Sequence, residues 1–167
     1  MEIIDIIKRA LYYIVRGVPV IQTYANIKCL TPSQKLKGKR ILVTGGSRGL
    51  GFSMAKKFVE EGAEVVISGR NKEVLEESAK QIGCEYIAFD NCNIEGMANF
   101  MDSVDEILGG VNCLVNNAGI SLHEASFLDV TEEQYDMQFD INLKGGFFLT
   151  QNFIRKHINK EEKETKT

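Results

Sequence analysis

The sequence has no tryptophan, only two prolines, and only two histidines, His123 and His157. Its four cysteines, Cys29, Cys84, Cys92 and Cys113, form no C-x-x-C pair, so no spacing suits zinc and no metal is expected. Free thiols in a reducing cytoplasm are the reading of these cysteines. A clustered basic face is missing too. The 20 Lys and Arg are interleaved with 23 Asp and Glu to a net charge of −3, which excludes a nucleic-acid footprint. Long hydrophobic runs are also absent. Lys8, Arg9 and Arg16 keep the isoleucine-rich start far short of the roughly 20 apolar residues that span a bilayer. Glu2 and Asp5 stand where a secretory leader carries positive charge, and no small-residue cleavage site follows. The expectation is a cytoplasmic globular protein.

Within Met1 to Arg16, Ile3, Ile7, Leu11 and Ile14 recur at helical spacing, with Ile4 and Val15 beside them. This predicts an amphipathic helix that packs on its own domain or on a sister subunit. A second reading lays it on a membrane surface with Lys8, Arg9 and Arg16 toward the headgroups, which Glu2 and Asp5 oppose. Gly17 and Pro19 end the helix, and Thr31-Pro32-Ser33 marks a loop, so residues 1–37 read as helix plus connector.

From Arg40 the pattern becomes regular. Ile41-Leu42-Val43 is a short buried strand. Glycine-rich sequence follows, then a helix with Leu50, Met54, Ala55, Phe58 and Val59 on one side, closed by Gly62. Val65-Val66-Ile67 is a second strand, and Asn71 can cap a helix that runs to Ile82 and ends at Gly83. Tyr86 to Phe89 is the third strand, a helix spans about Asn93 to Leu108, and Val111 to Val115 is the fourth strand. Thr131-x-x-Gln134 has the form of a capping box and opens a long helix reaching roughly His157. Short apolar strands alternating with helices imply a parallel sheet covered on both faces. Right-handed crossovers then favour an α/β, Rossmann-like, doubly wound sheet of about four strands in the order 3-2-1-4. Residues 38–158 form this partial domain, and 159–167 are a charged, solvated tail.

After the first strand comes Thr44-Gly45-Gly46-Ser47-Arg48-Gly49-Leu50-Gly51. Bare backbone here lets a phosphate approach the N–H groups at a positive helix end. A P-loop is excluded because Phe52 stands where that motif requires Lys, and G-x-G-x-x-G is excluded because Met54 stands at its third glycine. What remains is T-G-x-x-x-G-x-G, with Gly45, Gly49 and Gly51 as its glycines. Asn116-Asn117-Ala118-Gly119 directly follows strand four, Asp90 ends strand three, and Asn142 lies in Ile141-Asn142-Leu143-Lys144-Gly145 on the last helix.

In these ordered motifs, between about Lys37 and Ile158, the chain resembles the short-chain dehydrogenase/reductase family, over about half of a full family domain. The resemblance implies hydride transfer between a nicotinamide cofactor and a small carbonyl or alcohol substrate. Gly45, Ser47, Arg48, Gly49, Leu50 and Gly51 would form the pyrophosphate turn. Asp90 would accept from the adenine amino group beside the Asn91 backbone, Asn117 would tie neighbouring strands together, and the backbone of Asn116, Asn117, Ala118 and Gly119 would lie beneath the adenine ribose. Asn142 matches a member of the catalytic set that perturbs its helix and holds a water of the proton relay.

An NAD enzyme wants a carboxylate about 20 residues beyond the glycine turn. Here strand two ends Ser68-Gly69-Arg70-Asn71, with Gly69 at that place. Arg70 can pair with a 2′-phosphate, and Arg48 stands where NADP-dependent relatives carry a basic residue, so NADP(H) is favoured over NAD(H). The family's Ser, Tyr and Lys belong after the long helix. The sole Tyr-x3-Lys, Tyr24 to Lys28, lies before strand one, on the wrong side of the fold. Ser121 and His123 follow the N-N-A-G segment but match no catalytic position. The expectation is a truncated, cofactor-binding half that is inactive alone, from an enzyme whose intact form is a homo-oligomer. The alternative is a non-catalytic NADP(H)-binding fragment or module that pairs with other subunits, strand four being left as an edge.

Overall fold

The computed structural model describes residues 34–122 and 126–164. The expected helix over residues 1–16, the connector as far as residue 33, Tyr24, Lys28 and His123 lie outside the described residues, as do the last three positions of the charged tail.

Strand β1 (Arg40–Thr44) leads into helix α1 (Gly49–Glu60), and β2 (Glu64–Gly69) into α2 (Lys72–Ile82). β3 (Glu85–Ala88), α3 (Met97–Leu108) and β4 (Cys113–Val115) follow. A 3-10 turn (Phe127–Asp129), α4 (Glu132–Phe139), a π segment (Asp140–Gly145) and α5 (Gly146–Glu164) complete the described chain. The sheet is parallel in the order β3-β2-β1-β4, as the sequence predicts. Val43 pairs with Ile67 on one side and Val115 on the other, and Ile67 pairs with Tyr86.

Alternation along the strands divides the core. Ile41, Val43, Val65 and Ile67 pack with Ala55, Leu75, Ala79 and Ile82 of α1 and α2. Leu42 and Val66 point to the other face, against Met97, Phe100, Met101 and Val104 of α3 and Leu149 of α5. Each fully buried aliphatic chain in these layers contributes about 1.5–3 kcal/mol. Asn71 Oδ1 accepts from the Val74 amide at 2.9 Å and caps α2, and Gly83 closes it at φ 79°. The capping box at Thr131 is formed in both directions: its hydroxyl accepts from the Gln134 amide, and its own amide donates to Gln134 Oε1.

Several boundaries differ from the sequence reading: β2 extends to Glu64 and Gly69, and β3 runs one residue earlier, Glu85–Ala88 rather than Tyr86 to Phe89. Helix α3 begins at Met97 rather than near Asn93, because two turns come first. The Asn93 amide donates to the Asp90 carbonyl at 2.9 Å, and Asn93 Oδ1 accepts from the Gly96 amide at 3.0 Å. Strand β4 begins at Cys113 rather than Val111, whose amide is drawn off to Asp105 Oδ1 at 2.8 Å. The long helix after Thr131 is not uniformly α: the π segment interrupts it around Asn142, and it continues past His157 to Glu164.

Candidate active-site cleft

The carboxyl ends of all four strands open on one cleft of about 390 Å³. Parallel strands with crossover helices place ligand sites at this edge of a doubly wound sheet. Of the residues singled out in the sequence, Gly45, Ser47, Arg48, Arg70, Asp90, Asn91, Asn117, Ala118 and Gly119 all line it. Gly49, Leu50 and Gly51 do not. Leu50 is 77% exposed at the start of α1.

Gly45 and Gly49 adopt φ of 65° and 57°, the left-handed region that side chains disfavour. At Gly51 space is the constraint: a Cβ would sit 2.2 Å from the Gly45 carbonyl oxygen and 2.5 Å from Asn117 Nδ2. This turn delivers the chain into α1, whose N-terminus has no side-chain cap and no acidic residue in its first turn. Its first amides therefore keep their positive end for an incoming anion.

Thr44 and Asn117 lock the turn to β4. The buried Thr44 hydroxyl donates to the Val115 carbonyl at 3.3 Å and accepts from the Asn117 and Ala118 amides, both at 3.0 Å. Asn117 Nδ2 donates to the Thr44 and Gly45 carbonyls at 3.0 and 3.2 Å. The role of Thr44 went unread in the sequence, although a threonine opening a glycine turn after a strand is the signal that could have revealed it. Ser78 Oγ donates to the Ser47 carbonyl at 2.8 Å and ties the same turn to α2.

Arg48 and Arg70 are exposed at the rim, and Gly69 between β2 and Arg70 brings no carboxylate. Asp90 follows β3, the edge strand next to β2, which leads into Arg70. Its Oδ1 accepts from the Cys92 amide at 3.0 Å, so it organises a local turn and does not cap α3. Burial, and then the Asp90 and Asp140 carboxylates, hold the Cys92 thiol above its ordinary range, with Arg70 acting the other way. Gly69, Asn71, Phe89, Ile120 and Ile141 also line the cleft. Phe89, Ile120 and Ile141 carry no chemical signature, which is why sequence reasoning assigns them no role at the site, whereas Gly69 and Asn71 stand out in the sequence only as the place of the missing acid and as a helix cap.

Asn142 lies outside this cleft, in an adjoining groove shared with Asn116 and Phe147. Its Oδ1 accepts from the Ile120 amide and its Nδ2 donates to the Ile120 carbonyl, both at 2.8 Å. The expected perturbation of the helix is present as the π segment, a device frequent at functional sites. Among the described residues no cluster of His, Cys, Asp or Glu could hold a metal ion.

The short chain dehydrogenase family model matches residues 39–164. The chain is 41% identical over 132 residues to an NADP-dependent (R)-specific alcohol dehydrogenase of Lentilactobacillus kefiri, covering 77% of this chain and 52% of that protein. It is 38% identical over 117 residues to galactitol 2-dehydrogenase of Agrobacterium fabrum, covering 69% and 45%. Among solved structures, a short chain dehydrogenase of Burkholderia cenocepacia in complex with NADP superposes with a TM-score of 0.66 at 35% identity, over 73% of this chain and 52% of that one. The chain thus spans about half the length of the curated relatives it matches. With a cleft at the strand ends and a family match across three quarters of its length, this chain belongs to the short-chain dehydrogenase family.

Proposed function

We propose that the cleft binds NADP(H) in preference to NAD(H), and that residues 38–158 supply the cofactor-binding part of an oxidoreductase acting on a small carbonyl or alcohol substrate. One observation carries this reading: the uncapped N-terminus of α1 opens on a cleft rimmed by Arg48 and Arg70, with glycine at the end of β2 where an NAD enzyme wants an acid. The NADP dependence of the Lentilactobacillus relative and the NADP bound to the Burkholderia structure support it.

The residues fit the cofactor. Gly45, Gly49 and Gly51 keep the turn bare, so that the backbone from Ser47 through Leu50 meets the pyrophosphate. Arg48 and Arg70 would pair with the 2′-phosphate, Asp90 would accept from the adenine amino group beside Asn91, and the Asn116 to Gly119 backbone would lie beneath the ribose. When bound, the nicotinamide supplies or accepts the hydride. Asn142 is the member of the family's catalytic set that these residues contain; it orients Ile120 at the cleft wall.

Titrating the chain with NADPH and NADH, followed by fluorescence or calorimetry, tests the proposal. Arg70→Ala should cost on the order of 1.5–3 kcal/mol, about ten- to hundred-fold in NADPH affinity, with little change for NADH. Equal affinity for both cofactors that survives Arg70→Ala would overturn it. In an NADPH-oxidation assay the 167 residues alone should not turn over aldehydes, ketones or quinones, because no Tyr or Lys is among the described residues that line the cleft to place a proton.

A second reading, a cofactor-binding module that works by pairing with other subunits, is favoured by the apolar side chains on the outside of the π segment and α5. Leu143, Phe147, Ile154 and Ile158 are each about half exposed or more. Cross-linking and sedimentation of the chain would separate the two. The cysteine pattern suits a reducing compartment such as the cytoplasm, and no helix among the described residues is long and apolar enough to cross a membrane.

A further inference from the structure

Gly145 closes the π segment and is buried. A Cβ at this position would lie 2.7 Å from the Asn91 carbonyl oxygen, 3.0 Å from Asn91 Cβ and 3.2 Å from the Asn91 carbonyl carbon. Two of these atoms are backbone, so no rotamer change could relieve the contact. Asn91 is itself only 7% exposed, and it lines the cleft beside Asp90. That stretch is held on its other sides as well. The Phe89 amide donates to the Gly69 carbonyl at 2.8 Å, and the Asn93 amide donates to the Asp90 carbonyl at 2.9 Å. A side chain at 145 would therefore push on a wall with little room to yield.

The same six-residue segment reaches the opposite wall. Ile141 lines the cleft, and Asn142 grips the backbone of Ile120, which also lines it. We infer that Gly145 is a positioning residue: its bare backbone sets where the Asp90–Asn91 wall stands, and so couples recognition of the adenine to the segment that carries Asn142. This deepens the NADP(H) reading and rests on it.

A merely structural glycine would affect stability without changing which base the cleft prefers. The test therefore uses two probes, adenosine 2′,5′-bisphosphate and inosine 2′,5′-bisphosphate. The second replaces the amino group that Asp90 would accept from with an oxygen. The wild-type chain should prefer the adenosine probe. Gly145→Ala, checked for folding by circular dichroism, should bind that probe at least tenfold more weakly and lose most of the preference. Asn91→Gly in the Gly145→Ala background removes one contact, frees the carbonyl to swing aside, and should restore part of both. Binding of neither probe by the wild-type chain would overturn the NADP(H) reading and this inference with it. Wild-type binding with unchanged affinity and preference in folded Gly145→Ala would overturn the inference alone. If Gly145→Ala does not fold, amide exchange on the wild-type chain decides: the adenosine probe should slow exchange at residues 143–147, and protection confined to 90–93 would overturn it.

Discussion

The two sides of the cleft are built differently. On one side, the turn from Thr44 to Gly51 is closed by its own neighbours: β4 through Thr44 and Asn117, α2 through Ser78, and the sheet through the Gly46 amide, which donates to the Ser68 carbonyl at 3.1 Å. On the other side, the π segment and α5 bury Ile141, Gly145 and Leu149 inward while Leu143 and Phe147 stand 61% and 60% exposed. The glycine turn is held by near neighbours, whereas the helix side presents a second face that the described residues leave exposed.

The largest effect should come from adding one methyl group to the closed side. Gly51→Ala forces a Cβ against the Gly45 carbonyl and Asn117 Nδ2, and should lower stability by about 3 kcal/mol, the upper end of the usual cost of overpacking. Leu143→Ala on the open side removes more atoms and should change stability by no more than about 0.5 kcal/mol, as exposed positions do. Urea unfolding of both variants checks the contrast, and equal losses would erase it.

Thr44→Val comes next. It is nearly isosteric, but it leaves the Asn117 and Ala118 amides without their acceptor in a part-buried setting, at a cost of about 1–3 kcal/mol. The same unfolding experiment, with no loss on substitution, would show that water replaces the hydroxyl there. Smaller again should be Lys156→Met. Lys156 Nζ pairs with Asp102 at 2.7 Å and Asp105 at 2.9 Å, fastening α5 to α3 at the rim of the second core layer. Solvent reaches this cluster, so a loss of about 1 kcal/mol or less is expected, and it should shrink in high salt.

The contrast also explains what could be read from the sequence. The glycine turn and the sheet order were legible because they depend on near neighbours and on alternation: Gly45 needs its φ locally, and Val65 to Ile67 can only be a buried strand. The capping box at Thr131 and the glycine stop at Gly83 were legible for the same reason. The π segment was not, beyond the expectation that Asn142 disturbs its helix. Its form depends on Ile120 and Asn91, residues 22 and 54 positions earlier than Asn142 and Gly145 that only the fold brings near. The late start of α3 was missed because Asp90 and Asn93 spend their side chains on turns, which helix periodicity does not reveal. Leu50, placed in the turn by its motif, is 77% exposed, an exposure that the motif alone does not reveal.

Cys92 reports on the Asp90–Asn91 wall and the π segment at once and offers the finest test of how the helix side is joined to the strand ends. Burial raises its pKa first, then Asp90 from the strand-end loop and Asp140 from the start of the π segment, while Arg70 lowers it. The thiolate is the form that reacts with iodoacetamide. At pH 8, below the raised pKa, alkylation of Cys92 should therefore be slower than for an unperturbed thiol, and it should keep accelerating as pH rises past the usual thiol range. Asp90→Asn and Asp140→Asn each remove a like charge, so each should lower the pKa and speed the reaction a few-fold at pH 8. Arg70→Ala should slow it. Cys84, half-buried and pushed up to about 11 by desolvation and then Glu85, lies among the residues of α2 and β3 and should ignore all three substitutions. Site-resolved mass spectrometry of the alkylated peptides measures both thiols in one experiment. If Asp90→Asn accelerates Cys92 and Asp140→Asn does not, the π segment stands farther from the Asp90–Asn91 wall than its packing on Asn91 requires, and the two are less closely joined than the geometry indicates.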